Sequence, residues 1–272
     1  MFDFNILIIA VTGAVAGCLG SLLGISGGIF LVPFLILALE LPVRTAVAIS
    51  LMTVIATSSV ASANETSQRL LNLRLGMLLQ LTSTVGVLTG GLTAMVISEQ
   101  TVLRLFAIVS VVSASIVFSR LGRRNVTLDP NADPGRLGGR FFEQESGGVV
   151  TYRVRRVWLG LGVSFIAGNL ASVLGIGGGI ITVPVLNVWC GVPMRVAAAT
   201  SAFLIGITAF AAIPAYYVTG DIVVYLSAAA VLGVLFGARI GFWVGSWSRA
   251  KWLKFLLGLT LLAVSAFLFA RL

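Results

Sequence analysis

The sequence predicts an all-α polytopic membrane protein. About eight transmembrane segments form two homologous four-segment repeats, each with a glycine-broken helix that is discontinuous or re-entrant. Three observations lead there. Hydrophobic residues make up 58% of the 272 positions, charged residues 10%, and mean hydropathy is +1.07. A soluble domain carries about 25% charged residues because its surface faces water. The second observation is a long internal repeat, and the third is a pair of apolar blocks too long to cross a bilayer once.

Apolar blocks run over 5–39, 43–63, 74–97, 101–119, 157–190, 194–218, 222–245 and 252–271. Most approach the roughly 20 residues that one helical crossing needs. Short joints hold the polar residues: Glu65, Gln68, Arg69 and Asn72, then Ser98 to Gln100, Gly220 with Asp221, and Ser246 to Lys251. The connection 120–156 differs, being rich in Arg, Gly, Asp and Glu and containing the turn-forming DPNADPG. It separates a first transmembrane repeat, 1–119, from a second, 157–272. Much of the net charge of +9 lies between Arg120 and Arg156, which marks this loop as cytoplasmic. That placement accounts for the charge without a nucleic-acid partner. Trp158, Trp243, Trp247 and Trp252 lie near block ends, as an interfacial belt does. Met1 to Gly13 has no basic residue before its apolar run. It is therefore read as part of the mature chain rather than a signal peptide.

Shifted by 151 positions, GCLGSLLGISGGIFLVPFLI (17–36) aligns without a gap on GNLASVLGIGGGIITVPVLN (168–187). The match continues through Pro42/Pro193, Arg44/Arg195, Ala46/Ala197, Ala48/Ala199 and Ser50/Ser201, with about half of the positions identical. Shared Gly, Pro, Arg and Ser make this a duplication rather than a coincidence of apolar composition. GVLTGG (86–91) and GVLFGA (233–238) form a weaker echo.

Blocks 5–39 and 157–190 would run about 50 Å as single helices, against a hydrocarbon core of about 30 Å. Each is interrupted, by Gly24-Ile25-Ser26-Gly27-Gly28 and by Gly175-Ile176-Gly177-Gly178-Gly179, with Pro33 and Pro184 following. Broken backbone is tolerated in a membrane only where protein or a water-filled cavity satisfies it. Paired breaks at matching repeat positions point to a transporter's central site. The half-helices starting after Gly28 and Gly179 would aim free N–H groups and a positive dipole end at an anion. Candidate substrate-binding residues are Gly24, Ser26, Gly27, Gly28 and Ser50 in the first half. In the second they are Asn169, Gly175, Gly177, Gly178, Gly179 and Ser201. Ser21, Ser172 and Thr200 are further donors. The competing reading is that these glycines only let helices pack closely.

Arg44 and Arg195 are added as candidate anion ligands, although at headgroup level they would merely snorkel and anchor. Arg239 has the same ambiguity. Asp221, Glu40, Glu65 and Glu99 sit near block ends, so the sequence offers no buried carboxylate as a proton carrier. Cys18 and Cys190 are far apart and read as packing residues. Histidine is absent, which removes a Ser-His-Asp triad and any histidine metal site or proton relay. With no Walker pattern either, an enzyme is not expected, nor any cofactor.

The duplicated G-x-x-x-S-x-x-G-I-x-G-G-x-x-x-V-P at 17–33 and 168–184 resembles the sulfite exporter TauE/SafE family. So do P-x-R-x-A-x-A-x-S at 42–50 and 193–201 and GVLFGARIG at 233–241. The resemblance spans nearly the whole chain apart from 120–156. It implies a multi-pass transporter of the cytoplasmic (inner) membrane, often an exporter, moving sulfite, thiosulfate or sulfonates. Its partners would be a small sulfur-containing anion and the lipid bilayer; a homo-oligomer is compatible with it. A passive anion channel, a carrier of another organic anion and a membrane-embedded enzyme are the alternatives. If each overlong block crosses once, the repeats are parallel; if each folds back, they are inverted.

Overall fold

The computed structural model describes residues 2–23, 26–118, 133–143, 148–247 and 250–269. The chain forms α1 (Phe2–Leu23), α2 (Gly28–Ala38), α3 (Val43–Ala63), α4 (Glu65–Leu70), α5 (Leu73–Ala94) and α6 (Glu99–Phe118). Strands β1 (Gly139–Glu143) and β2 (Gly148–Tyr152) follow. Then come α7 (Val157–Leu174), α8 (Gly179–Val188), α9 (Met194–Val218), α10 (Val224–Trp247) and α11 (Ala250–Phe269).

Six of the described helices are long and apolar enough to cross a membrane: α3, α5, α6, α7, α9 and α10. The apolar stretch Ile6–Leu22 of α1, and α2 and α8, are shorter. Large side chains such as Leu81, Leu92, Leu232 and Phe236 stand about 70% exposed on helix surfaces. Such apolar surface is tolerable facing lipid and aggregation-prone facing water. The chain is a multi-pass helical membrane protein.

Local sequence explains several boundaries. Pro42 and Pro193, each extended with ψ near +140°, stand immediately before α3 and α9. Asn72 caps α5 by accepting the Leu75 N–H at 3.1 Å. Pro33, Pro184 and Pro214 lie inside α2, α8 and α9, where each removes one backbone donor.

The helices pair across the two halves of the chain: α1 with α10, α5 with α7, α3 with α9, and α6 with α11. The α1–α10 and α5–α7 pairs are parallel and held at backbone contact by glycine. A β-carbon on Gly233, Gly237 or Gly241 would collide with the carbonyl of Ala10, Ala14 or Cys18, and one on Gly168 with that of Ser83. This is small-residue packing of the kind membrane helices use.

Two ends of the bundle can be told apart. At one, Ile6 of α1, Leu39 after α2, Leu41 and Val223 pack around Leu35, Ala46, Leu226 and Ala230. The end of α2 thus lies beside the start of α1. At the other, Leu75 and Leu79 of α5, Val185 and Leu186 of α8, and Val196 of α9 form a cluster with Leu161 of α7 against it. There the end of α8 lies beside the start of α7.

The expectation of an all-helical chain is amended by the antiparallel hairpin β1–β2, which pairs Gly139 with Tyr152 through Glu143 with Gly148. Phe141, Val150 and Tyr152 are buried in the second cluster. This part of the 120–156 connection is therefore docked rather than free; positions 120–132 lie outside the described residues. Asn72 joins the pieces: its Nδ2 donates to Tyr152 Oη at 2.9 Å and to Leu137 O at 2.7 Å, and its N–H donates to Thr200 Oγ1 at 3.1 Å. Burial raises the Tyr152 phenol's pKa, and the Asn72 bond partly offsets this. Asn72→Ala removes a cap and takes the side-chain donor away from Leu137 O and Tyr152 Oη, while the backbone bond to Thr200 stays. It is expected to cost about 2–3 kcal/mol and to open the hairpin to proteolysis, read by the denaturation midpoint and limited digestion.

Candidate functional site

Helix α7 stops at Leu174 because Gly175 turns left-handed, φ +69°. The chain restarts as α8 from Gly178, also left-handed at φ +78°. An L side chain is strained in that region, so glycine is required at both ends of the interruption. In the first half α1 ends at Leu23 and α2 starts at Gly28. Gly24 and Ile25 lie outside the described residues. Neither α2 nor α8 has a side-chain cap at its start among the described residues. A helix start leaves N–H groups without intrahelical partners.

The two interruptions touch. Ser26 Oγ donates to Ile176 O at 2.6 Å, and Ser50 Oγ donates to Gly175 O at 2.6 Å. A β-carbon on Gly28 would lie 2.7 Å from Gly175 O and collide with Ser50 Oγ. Val54 and Ile205, positions related by the 151-residue shift, both line Gly177. Ser26, Ser50 and Ser201 are at most 1% exposed. The Ser201 hydroxyl is buried without a hydrogen-bond partner among the described residues. The structure thus brings together Ser26, Gly28, Ser50 and Gly175 directly, with Gly27, Gly177, Gly178 and Gly179 in the same two interruptions.

Other candidates lie elsewhere. Asn169 sits on the α5–α7 seam, where its Nδ2 donates to Thr89 Oγ1 at 3.2 Å and its backbone abuts Gly90. Thr200 is engaged by the Asn72 N–H. Ser21 donates to Cys18 O at 3.0 Å. Ser172 is fully buried; its carbonyl accepts the Tyr216 phenol at 2.6 Å, while its hydroxyl has no partner among the described residues. Arg195 is half-buried one residue into α9, just after Pro193 and Met194. Arg44 is half-buried near the opposite end of the bundle, where Nη2 donates to Met95 O at 2.8 Å.

Sequence reasoning did not group Arg44 with Tyr216, Asp221 and Glu99, which line clefts beside it. They come from four helices or joints, and no spacing rule links them.

Gly27 and Gly178 are packed against backbone. A β-carbon at Gly27 would sit 2.7 Å from Ala16 O, and one at Gly178 would sit 3.0 Å from Ala167 O. Bulky replacements there disturb packing as well as any ligand. Hydroxyl deletions at Ser26 and Ser50 are the cleaner probes.

Cys190 is buried between α8 and α9, and burial pushes its thiol up to about 11. A thiol so shifted is almost wholly protonated near neutrality and inert as a nucleophile. Cys190 is therefore expected to resist maleimide at pH 7 until the protein is denatured. Cys18→Ala together with Cys190→Ala is expected to keep flux within about twofold of wild type. Loss of flux in a folded double variant would revive a role for thiol chemistry.

Searches of curated proteins and of solved structures each found no match. The family profile described as "Sulfite exporter TauE/SafE" matches residues 9–268. Nearly the whole chain lies within that match, including both helix interruptions and the helices that pair across the halves. The chain belongs to the sulfite exporter TauE/SafE family of membrane transporters.

Proposed function

We propose that the chain is a secondary transporter of small sulfur-containing anions such as sulfite, thiosulfate or sulfonates. It exports them across the cytoplasmic membrane and is driven by an ion gradient. One observation carries the site assignment: the two interruptions, each leading into an uncapped helix start, are joined by the Ser26–Ile176 hydrogen bond, and Ser50 of α3 ties Gly175 to the same place. An oxyanion between them would accept hydrogen bonds from those hydroxyls and from the free N–H groups of both half-helices. Helix dipoles would favour negative charge there without any titratable ligand. In the structure these hydroxyls donate to carbonyls, and a bound oxyanion would take the bonds over.

The packing supports an inverted repeat. α2 and α8 return to the ends from which α1 and α7 start, and those starts lie at opposite ends of the bundle. An odd net crossing per half follows, with repeats 1–119 and 157–272 related by an axis in the membrane plane. The pairings of α3 with α9 and α6 with α11 fit such an axis, since each unites equivalent helices of the two halves. The positive loop 120–156 then faces the cytoplasm. Opening one half against the other would expose the breaks to each side alternately.

Counterflow tests this carrier mechanism against a channel. Vesicles preloaded with unlabelled sulfite should transiently accumulate labelled sulfite above its outside concentration. Flux that only relaxes to equilibrium, with no overshoot, would make the protein a passive pore.

A further inference from the structure

The half-buried Arg44 guanidinium has five N–H donors. Among the described residues it makes one hydrogen bond, to Met95 O, and no ion pair. Two clefts share it. One is lined by Gly91, Met95, Ala215, Tyr216 and Asp221. The other passes Glu99 and reaches Val47 and Val173. Val47 touches the interruption of the second half: a β-carbon on Gly175 would lie 3.0 Å from Val47 Cα. Behind the first cleft, the partnerless and fully buried Ser172 hydroxyl would lie 3.6 Å from a β-carbon on Gly91.

We propose that the Arg44 cleft is a capture site for a small oxyanion, separate from the glycine breaks and leading toward them along Val47. A guanidinium presents paired N–H groups that match two oxygens of such an anion. Asp221 and Glu99 in the same clefts have the sign of the cargo, and they compete with it for Arg44. The captured anion is thereby held weakly enough to move on, as conduction requires. The positions related to Asp221 and Glu99 by the repeat are Leu70 and Ala250. The second half cannot build this arrangement around Arg195, so capture operates at one face of the membrane.

The inference rests on the transport reading for the identity of the cargo, but binding can be measured without transport. Isothermal titration of the purified protein in detergent uses sulfite, thiosulfate and phosphate as probes. Arg44→Gln is expected to raise the dissociation constant at least about tenfold, with Arg44→Lys in between. Asp221→Asn is expected to lower it about threefold or more. Ser26→Ala with Ser50→Ala should leave the Arg44-dependent heat in place. Arg44-dependent binding of phosphate with none of sulfite or thiosulfate would keep the capture site and defeat the sulfur cargo. Equal binding by wild type and a folded Arg44→Gln, or no oxyanion binding at all, would overturn the proposal. Arg44-dependent heat that vanishes once phosphatidylglycerol is added would assign the guanidinium to a lipid phosphate, and would overturn it too.

Discussion

Ser26→Ala combined with Ser50→Ala is expected to lower transport efficiency about a hundredfold. Each hydroxyl offers a charge-assisted hydrogen bond to the proposed anion, worth roughly 1.5 kcal/mol or more, and a factor of ten corresponds to about 1.4 kcal/mol. In the structure the same hydroxyls satisfy Ile176 O and Gly175 O, so deletion also leaves two buried acceptors short of a partner. That penalty lowers stability by about 1–3 kcal/mol per site. A melting curve separates the two effects: the variant should fold, and flux should fall much further than stability accounts for. The expected kinetic signature differs from that of Arg44→Gln. Loss of a capture residue raises the apparent KM and spares the maximal rate, whereas loss of central ligands lowers both binding and turnover.

Gly237→Leu should have the larger effect on the fold itself. A β-carbon there would collide with Ala14 O and lie 2.6 Å from its carbonyl carbon. No side chain stands between the two helices to move aside, so α1 and α10 would have to separate. Gly233 and Gly241, one turn away on either side, make the same approach to Ala10 and Cys18. Overpacking commonly costs 1–3 kcal/mol, and a rigid backbone neighbour puts this case at about 3 kcal/mol or more. The measurable outcome is loss of the monodisperse peak in size-exclusion chromatography after detergent extraction. A stable, well-behaved Gly237→Leu protein would mean that the α1–α10 seam is looser than described.

The contrast between these glycines explains what was legible in the sequence. Gly175 and Gly178 announced themselves by clustering inside an overlong apolar block, with Pro184 following, because a broken span leaves a signature in length and spacing. Gly237 carried only a faint echo, since four-residue spacing of small residues is common in any membrane helix. The alignment at a shift of 151 positions rests on Gly, Pro, Arg and Ser because these are constrained positions, and constraint repeats more faithfully than apolar bulk. The fold direction of α2 and α8 was not readable, because returning and continuing half-helices share one composition. The hairpin was hidden in a loop whose charge dominated the reading. Its only trace was the short runs Gly139–Glu143 and Gly148–Tyr152, in which apolar residues cluster. Asn169 looked like a ligand because it lies six residues before Gly175. On α7 it meets Thr89 and the backbone of α5, a placement that its spacing from Gly175 does not show. The Arg44 cleft draws on α3, α5, α6 and α9, and only tertiary structure assembles it.

The transport claim is tested most directly by sulfite and thiosulfate flux into proteoliposomes carrying the purified protein, with and without an imposed pH gradient. Saturable flux that responds to the gradient, and that falls about a hundredfold in the Ser26→Ala/Ser50→Ala protein, is the expected result. Flux of neither anion from a correctly folded sample, under either condition, would contradict the account.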